Sequence, residues 1–179
     1  MNSTEKTKWV IDPAHTEIQF KVKHLVITTV TGEFDKFSAT VYTNGDDFTD
    51  AQIEFNADVN SINTNQPDRD THLKSADFFD AANYPDLTFV SKSLKKTGDS
   101  GFVLTGDLTM RGTTKSVELQ GEFGGIVKDP WGNTKAGFEL TGKINRKEFG
   151  LQWNALTEAG GMVVAEDVKL TMNVELAKS

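Results

Sequence analysis

The chain contains no cysteine, which excludes a disulfide framework and a thiolate metal site. Basic charge is in short supply: 19 Lys and Arg stand against 26 Asp and Glu, for a net charge of −7. That balance argues against a nucleic-acid partner; the small basic group of Lys92, Lys95 and Lys96 borders a turn and reads as solvated. No apolar run is long enough to span a bilayer, and Met1 to Lys8 is polar where a signal peptide would be apolar. The resulting expectation is a cytoplasmic protein, or a periplasmic one if a leader has been removed. Histidine is scarce too, with only His15, His24 and His72. None of them has the short ligand spacing of a zinc site, no nucleophile elbow accompanies them, and no glycine-rich phosphate loop is present. No catalytic residue, metal or cofactor is therefore expected. His15 and His72 lie beside Asp12 and Asp70, where capping and anchoring bonds account for them.

What the chain does have is period-two alternation, the mark of half-buried strands. Trp9 to Asp12 reads as a short first strand ending in a turn capped by Asp12. Glu17 to His24 alternates strictly, placing Ile18, Phe20, Val22 and His24 on one face. Leu25 to Val30 is β-branched and leads into a run up to Tyr42 that slips phase at Asp35-Lys36, as at a β-bulge. Ala51 to Val59, Leu87 to Ser91, Phe102 to Met110, Ser116 to Phe123, Lys135 to Asn145 and Val168 to Leu176 continue the pattern. The clearest hairpin turns at Arg111-Gly112. About eight strands predict an all-β antiparallel barrel or sandwich. Residues 1–8 are expected as a flexible tail and residues 9–179 as a single domain.

One stretch refuses to alternate. Between Pro67 and Pro85 the sequence predicts a short helix, capped by Asn65 with Asp68 three residues on and with Pro67 in its first turn, followed by a second helical turn after Ser75. So short a helix needs packing to persist, supplied by Leu73, Ala76, Phe78 and Phe79 lying on the sheet. It is expected to act as a lid. Gly106, Gly121 and Gly142 fall in the inward phase of neighbouring strands. They either hollow one wall or let strands kink while side chains from across fill the space.

Four blocks, in order, resemble the YceI-like family. They are Trp9 to His24; Arg69 to Asp80 with Tyr84-Pro85; Gly106 to Lys115; and Asn145 to Leu151. The resemblance runs from Trp9 to Leu176 and implies an extended eight-stranded antiparallel lipocalin-like β-barrel, here closed by the helical insertion. It further implies a long-chain isoprenoid or fatty amphiphile as partner, held non-enzymatically for carriage or sequestration. Transport and stress response are the roles this suggests, with transient membrane contact for lipid exchange and a homodimer left open. The candidate tail-binding residues are Phe20, Val22, Phe34, Phe55, Phe89, Leu104, Leu108, Phe138 and Ile144, with His24 toward the headgroup and Phe78 and Phe79 facing inward from the lid. Arg69 and Asp70 are read as anchors. Two alternatives stand beside this: an enzyme using His24 as acid or base on an apolar substrate, and a filled barrel without ligand.

Overall fold

A computed structural model of the protein describes residues 6–154 and 164–179. Its strands are β1 (Thr7–Ile11), β2 (Glu17–His24), β3 (Thr28–Phe34), β4 (Phe37–Asn44), β5 (Asp47–Asp58) and β6 (Ile62–Asn63). After the helix α1 (Pro67–Lys74) come β7 (Asp86–Lys96), β8 (Gly101–Met110), β9 (Thr113–Lys128), β10 (Thr134–Asn145) and β11 (Val164–Lys178). Every pairing is antiparallel. β1 pairs β4 while β2 pairs β3, and β4 pairs β5 while β3 pairs β6. The first six segments are thus three staves, each interrupted once, and with β7 to β11 they make an eight-stave barrel. β11 closes it, bonding β2 through one part of its length and β1 through Leu176 to Lys178.

The interruptions are built. Asp12 accepts a bond from Ala14 N at 3.1 Å and caps a 3-10 turn at Pro13–His15, as read from sequence. The phase slip at Asp35-Lys36 is a true break between β3 and β4. It is bridged by Asp35 N to Ser61 O (3.1 Å) and Asp58 N to Lys36 O (2.9 Å), so the next stave breaks at the same level. Backbone groups thereby keep their partners where the ladder stops.

Several expectations need correction. Thr7 and Lys8 pair with Thr43 and Tyr42, so the expected tail is two residues too long at its inner end; residues 1–5 lie outside the described residues. Of the β-branched run from Leu25 to Val30, Leu25, Val26 and Ile27 form the tip between β2 and β3. α1 is capped by Gln66, whose side chain accepts from Arg69 N at 3.0 Å, because Asn65 has turned to a φ of 63°. Nor does helix resume after Ser75. Residues 76–79 and 81–83 form turns, tied back by Phe79 N to Leu73 O (3.0 Å) and Ala81 N to Lys74 O (2.9 Å).

The inward glycines are filled from the neighbouring strand. A Cβ at residue 121 would stand 2.2 Å from the Phe102 ring, at residue 106 it would stand 2.4 Å from Phe89, and at residue 142 2.5 Å from Leu119. Gly32 lies under its cross-strand partner Phe20 in the same way, at 2.3 Å. Each glycine lets a large side chain lie flat against the wall, so none of them hollows it.

One end of the barrel is solid. Trp9, buried to 0% exposure, donates from its indole nitrogen to Thr43 Oγ1 at 2.9 Å and packs on Phe48 with ring centres 5.1 Å apart. Phe48, Phe123 and Phe138 continue the cluster at 4.9 to 5.7 Å, and Phe102 meets Phe138 at 6.0 Å. Tilted and edge-on rings at such spacings pack favourably beyond their area burial.

Candidate functional site: a lidded apolar cavity

Above that aromatic floor the interior opens into a cavity of about 380 Å³, within the range of small-molecule sites. Its wall is almost wholly apolar. The alternation of β8 explains how such a wall arises: Phe102, Leu104, Leu108 and Met110 point inward, each no more than 6% exposed, while Val103, Thr105, Asp107 and Thr109 face outward.

All twelve residues proposed from sequence line this cavity. Phe89, Leu104, Leu108 and Ile144 form buried wall, and Phe138 belongs to the floor. Phe55 is half-buried and stacks on Phe37 with centres 6.2 Å apart. On β2 the inward residues Phe20, Val22 and His24 are only half-buried, so this flank is the more open. Phe20 meets Phe34 at 5.8 Å, and Phe34 meets Phe79 edge-on at 6.0 Å, which joins the flank to the lid.

The lid is made differently from the helix foreseen. α1 has no buried residue, Leu73 is only partly buried and Ala76 is exposed. The apolar closure comes instead from Phe78 (5% exposed) and Phe79 (9%) in the following turns. His72 serves as a spacer between them and the next segment: it contacts Asp77 through Nε2 at 2.9 Å and packs edge-on against Phe78 and Trp153, at 5.1 and 4.7 Å. Arg69 and Asp70 anchor the helix as expected, though both grip Thr64 instead of each other. Arg69 donates to Thr64 Oγ1 and O at 2.7 Å, and Asp70 accepts from Thr64 N at 2.8 Å.

Two arginines were overlooked in function, although both fall in the blocks that carry the family resemblance. Arg111, at the tip of the β8–β9 hairpin, donates to the carbonyls of Phe78 and Gly150, clamping the lid. Arg146 is 3% exposed and donates to the carbonyls of Ala165, Leu151, Trp153 and Val164. It also lies 5.7 Å from the Phe78 ring centre. Burial lowers its pKa, the Glu166 charge opposing, and among the described residues no carboxylate touches it. Gln19 of β2 apart, the polar cavity residues Lys23, His24, Arg69, His72 and Arg146 all belong to segments at the lid end, opposite the aromatic floor.

Outside the cavity, the fold brings together one set of potential metal ligands among the described residues: Asp12, His15 and Glu175. Sequence spacing could not reveal it, since Glu175 comes from β11. The Lys135 ammonium stands 2.9 Å from Asp12 and 3.6 Å from Glu175, supplying the positive charge itself. Hydrogen bonds from Lys135 and then His15 hold the Asp12 carboxyl well below the usual carboxylate range, and the Asp12 bond raises the His15 pKa.

The molecule is a closed antiparallel barrel with an apolar interior, a solid floor and a clamped lid, lipocalin-like in form. The chain belongs to the YceI-like family, whose domain it matches over residues 9–176. It is 36% identical to a UPF0312 protein of Staphylococcus aureus (strain USA300) over 97% of this chain and 99% of that one. Among solved structures, a Campylobacter jejuni YceI protein is similar at 31% identity and a TM-score of 0.71, covering 100% of this chain and 99% of that chain. Burkholderia cenocepacia BcnA shares the fold at 22% identity and a TM-score of 0.80, over 92% and 98% of the two chains. So does a polyisoprenoid binding domain from Saccharophagus degradans, at 16% identity and a TM-score of 0.74, over 96% and 98%.

Proposed function

We propose that the protein binds one long-chain isoprenoid or similar single-tailed lipid, without chemically changing it, and carries or sequesters it. The observation that carries this reading is the gradient of the cavity lining: an aromatic floor, a wall of mixed aliphatic and aromatic side chains with Gln19 as its one uncharged polar residue, and ionisable side chains at the lid end alone, at Lys23, His24, Arg69, His72 and Arg146. Such a gradient orients an amphiphile tail-down. Tail burial contributes ~0.8 kcal/mol per methylene before the ordering cost is subtracted, and it is nearly indifferent to chain detail. Selectivity then rests on length and on the head. The polyisoprenoid binding domain of Saccharophagus degradans gives this fold a precedent for such a guest. Native mass spectrometry of protein purified without detergent tests the reading: a mass increment released by organic extraction as one class of long-chain lipid is expected. A uniformly ligand-free protein that also fails to take up added polyprenol would overturn it.

A further inference from the structure

The turn between β2 and β3 carries three apolar residues into solvent. Leu25 is 38% exposed, Val26 77% and Ile27 79%. Leu25 and Val26 both have positive φ, 54° and 65°, and the turn is closed by Ile27 N donating to His24 O at 3.3 Å. Those are positions where asparagine and glycine sit without strain and where a β-branched residue is an outlier. Turn chemistry therefore does not explain Leu-Val here, and backbone strain of this kind gathers where a contact surface is made.

Charge says which surface. Residues 18–32 contain Lys21, Lys23 and His24 and not one carboxylate, in a chain of net charge −7. The nearest acidic groups on the neighbouring β11 are already paired, Glu166 with Lys147 at 3.2 Å and Asp167 with Lys143 at 3.7 Å. An apolar tip above a basic collar matches the interface of an anionic bilayer, with side chains among the acyl chains and ammonium groups at phosphate level. A second copy of the chain is a poorer fit, because three residues fall far short of the roughly 800 Å² per partner of a stable dimer. The opposite end of the barrel exposes Trp131 (82%), but there Asp129 caps the turn, accepting from Trp131 N at 2.9 Å, and would meet an anionic surface unfavourably.

We propose that the Leu25-Val26-Ile27 turn docks the protein on anionic lipid bilayers. Lys23 and His24 also line the cavity, so docking sets its open flank against the membrane; that last step rests on the lipid-binding reading, whereas the docking does not.

The test is co-flotation with vesicles of phosphatidylcholine alone or mixed with phosphatidylglycerol. Wild-type protein is expected to float with the mixed vesicles and at least about tenfold less with phosphatidylcholine or in high salt. The combined Leu25→Asn, Val26→Gly, Ile27→Thr substitutions suit the turn better, so the melting temperature should hold or rise while flotation falls at least about tenfold. Trp131→Ser should float as wild type does. Equal flotation of the triple variant, loss of flotation in Trp131→Ser, no wild-type binding to mixed vesicles, or a wild-type dimer that the triple variant splits would each overturn the proposal. Native mass spectra of the same samples separate the two readings. Bound lipid retained in a variant that no longer floats supports docking by the tip; flotation of a protein that never holds lipid keeps the docking and removes the cavity reading.

Discussion

Arg111 holds Phe78 by its backbone: one guanidinium nitrogen, Nη1, donates to the Phe78 carbonyl at 3.1 Å and to the Gly150 carbonyl at 2.8 Å. Lid, hairpin tip and the segment after β10 are thereby fixed at one point. Arg111→Met leaves two carbonyls short of a charged donor and should cost about 1–3 kcal/mol. The loss should fall mainly on the lid. Hydrogen exchange of amides in residues 73–84 is expected to speed up several-fold while amides of β8 and β10 change little, and ligand release should accelerate.

Arg146 is the second clamp, and geometry makes it intolerant of lysine. Its fork reaches four carbonyls on two segments, which a single ammonium cannot do. Arg146→Lys should therefore destabilise by about 2–4 kcal/mol, read as a lower urea midpoint. Arg146→Met removes the buried charge as well, and is expected to be no worse than lysine.

Gly32 and Phe20 should be coupled. Gly32→Val puts a side chain where the Phe20 ring now lies, for an expected loss of about 1–3 kcal/mol. In Phe20→Ala the same valine has room. The double variant should lose less than the sum of the two singles by about 1 kcal/mol or more, measured as a double-mutant cycle of unfolding free energies.

The Asp12 cluster makes stability depend on pH on the acid side through Asp12 and, more weakly because its ring is largely exposed, on the alkaline side through His15. Because the folded-state pKa of Asp12 is lowered, its contribution is fully present above its unfolded pKa of ~3.9 and is lost as pH falls through the folded value. For His15 the shift is upward, so its contribution is present below ~6.5 and is lost as pH rises through the folded pKa. Urea midpoints from pH 2 to 8 should show Asp12→Asn, which keeps the cap but loses the ion pair with Lys135, destabilised by about 1 kcal/mol near pH 5, with the gap to wild type narrowing in acid. His15→Gln should instead converge with wild type at alkaline pH.

The barrel was legible because alternation is a local property of the chain. The three interruptions were only half legible: Asp12-Pro13 and the Asp35-Lys36 slip leave a local mark, whereas the matching break at Val59–Ser61 shows only once its neighbour lies beside it. Ten of the twelve cavity residues named from sequence were within reach because inward strand positions make most of the wall; Phe78 and Phe79 lie in turns, and Gln19 and Lys23, in the other phase of β2, also line the cavity. The lid was misread in its parts. Phe78 and Phe79 were seen as apolar within a helical pattern, but with Asn65 at positive φ the helix begins later, and turn hydrogen bonds replace its second half. Arg111, Arg146 and Trp153 escaped notice because their roles consist of contacts to carbonyls and rings far along the chain, which no spacing encodes. The same holds for Glu175 beside His15.

The aromatic floor formed by Trp9, Phe48, Phe123 and Phe138 has a consequence for any elongated guest. With that end sealed, the proposed function makes the lid end the door. A lipid entering there tail-first must depart head-first, so on that reading its polar group is the first part to be handed over. The depth from door to floor becomes a ruler, and a chain longer than it must double back or leave its end outside.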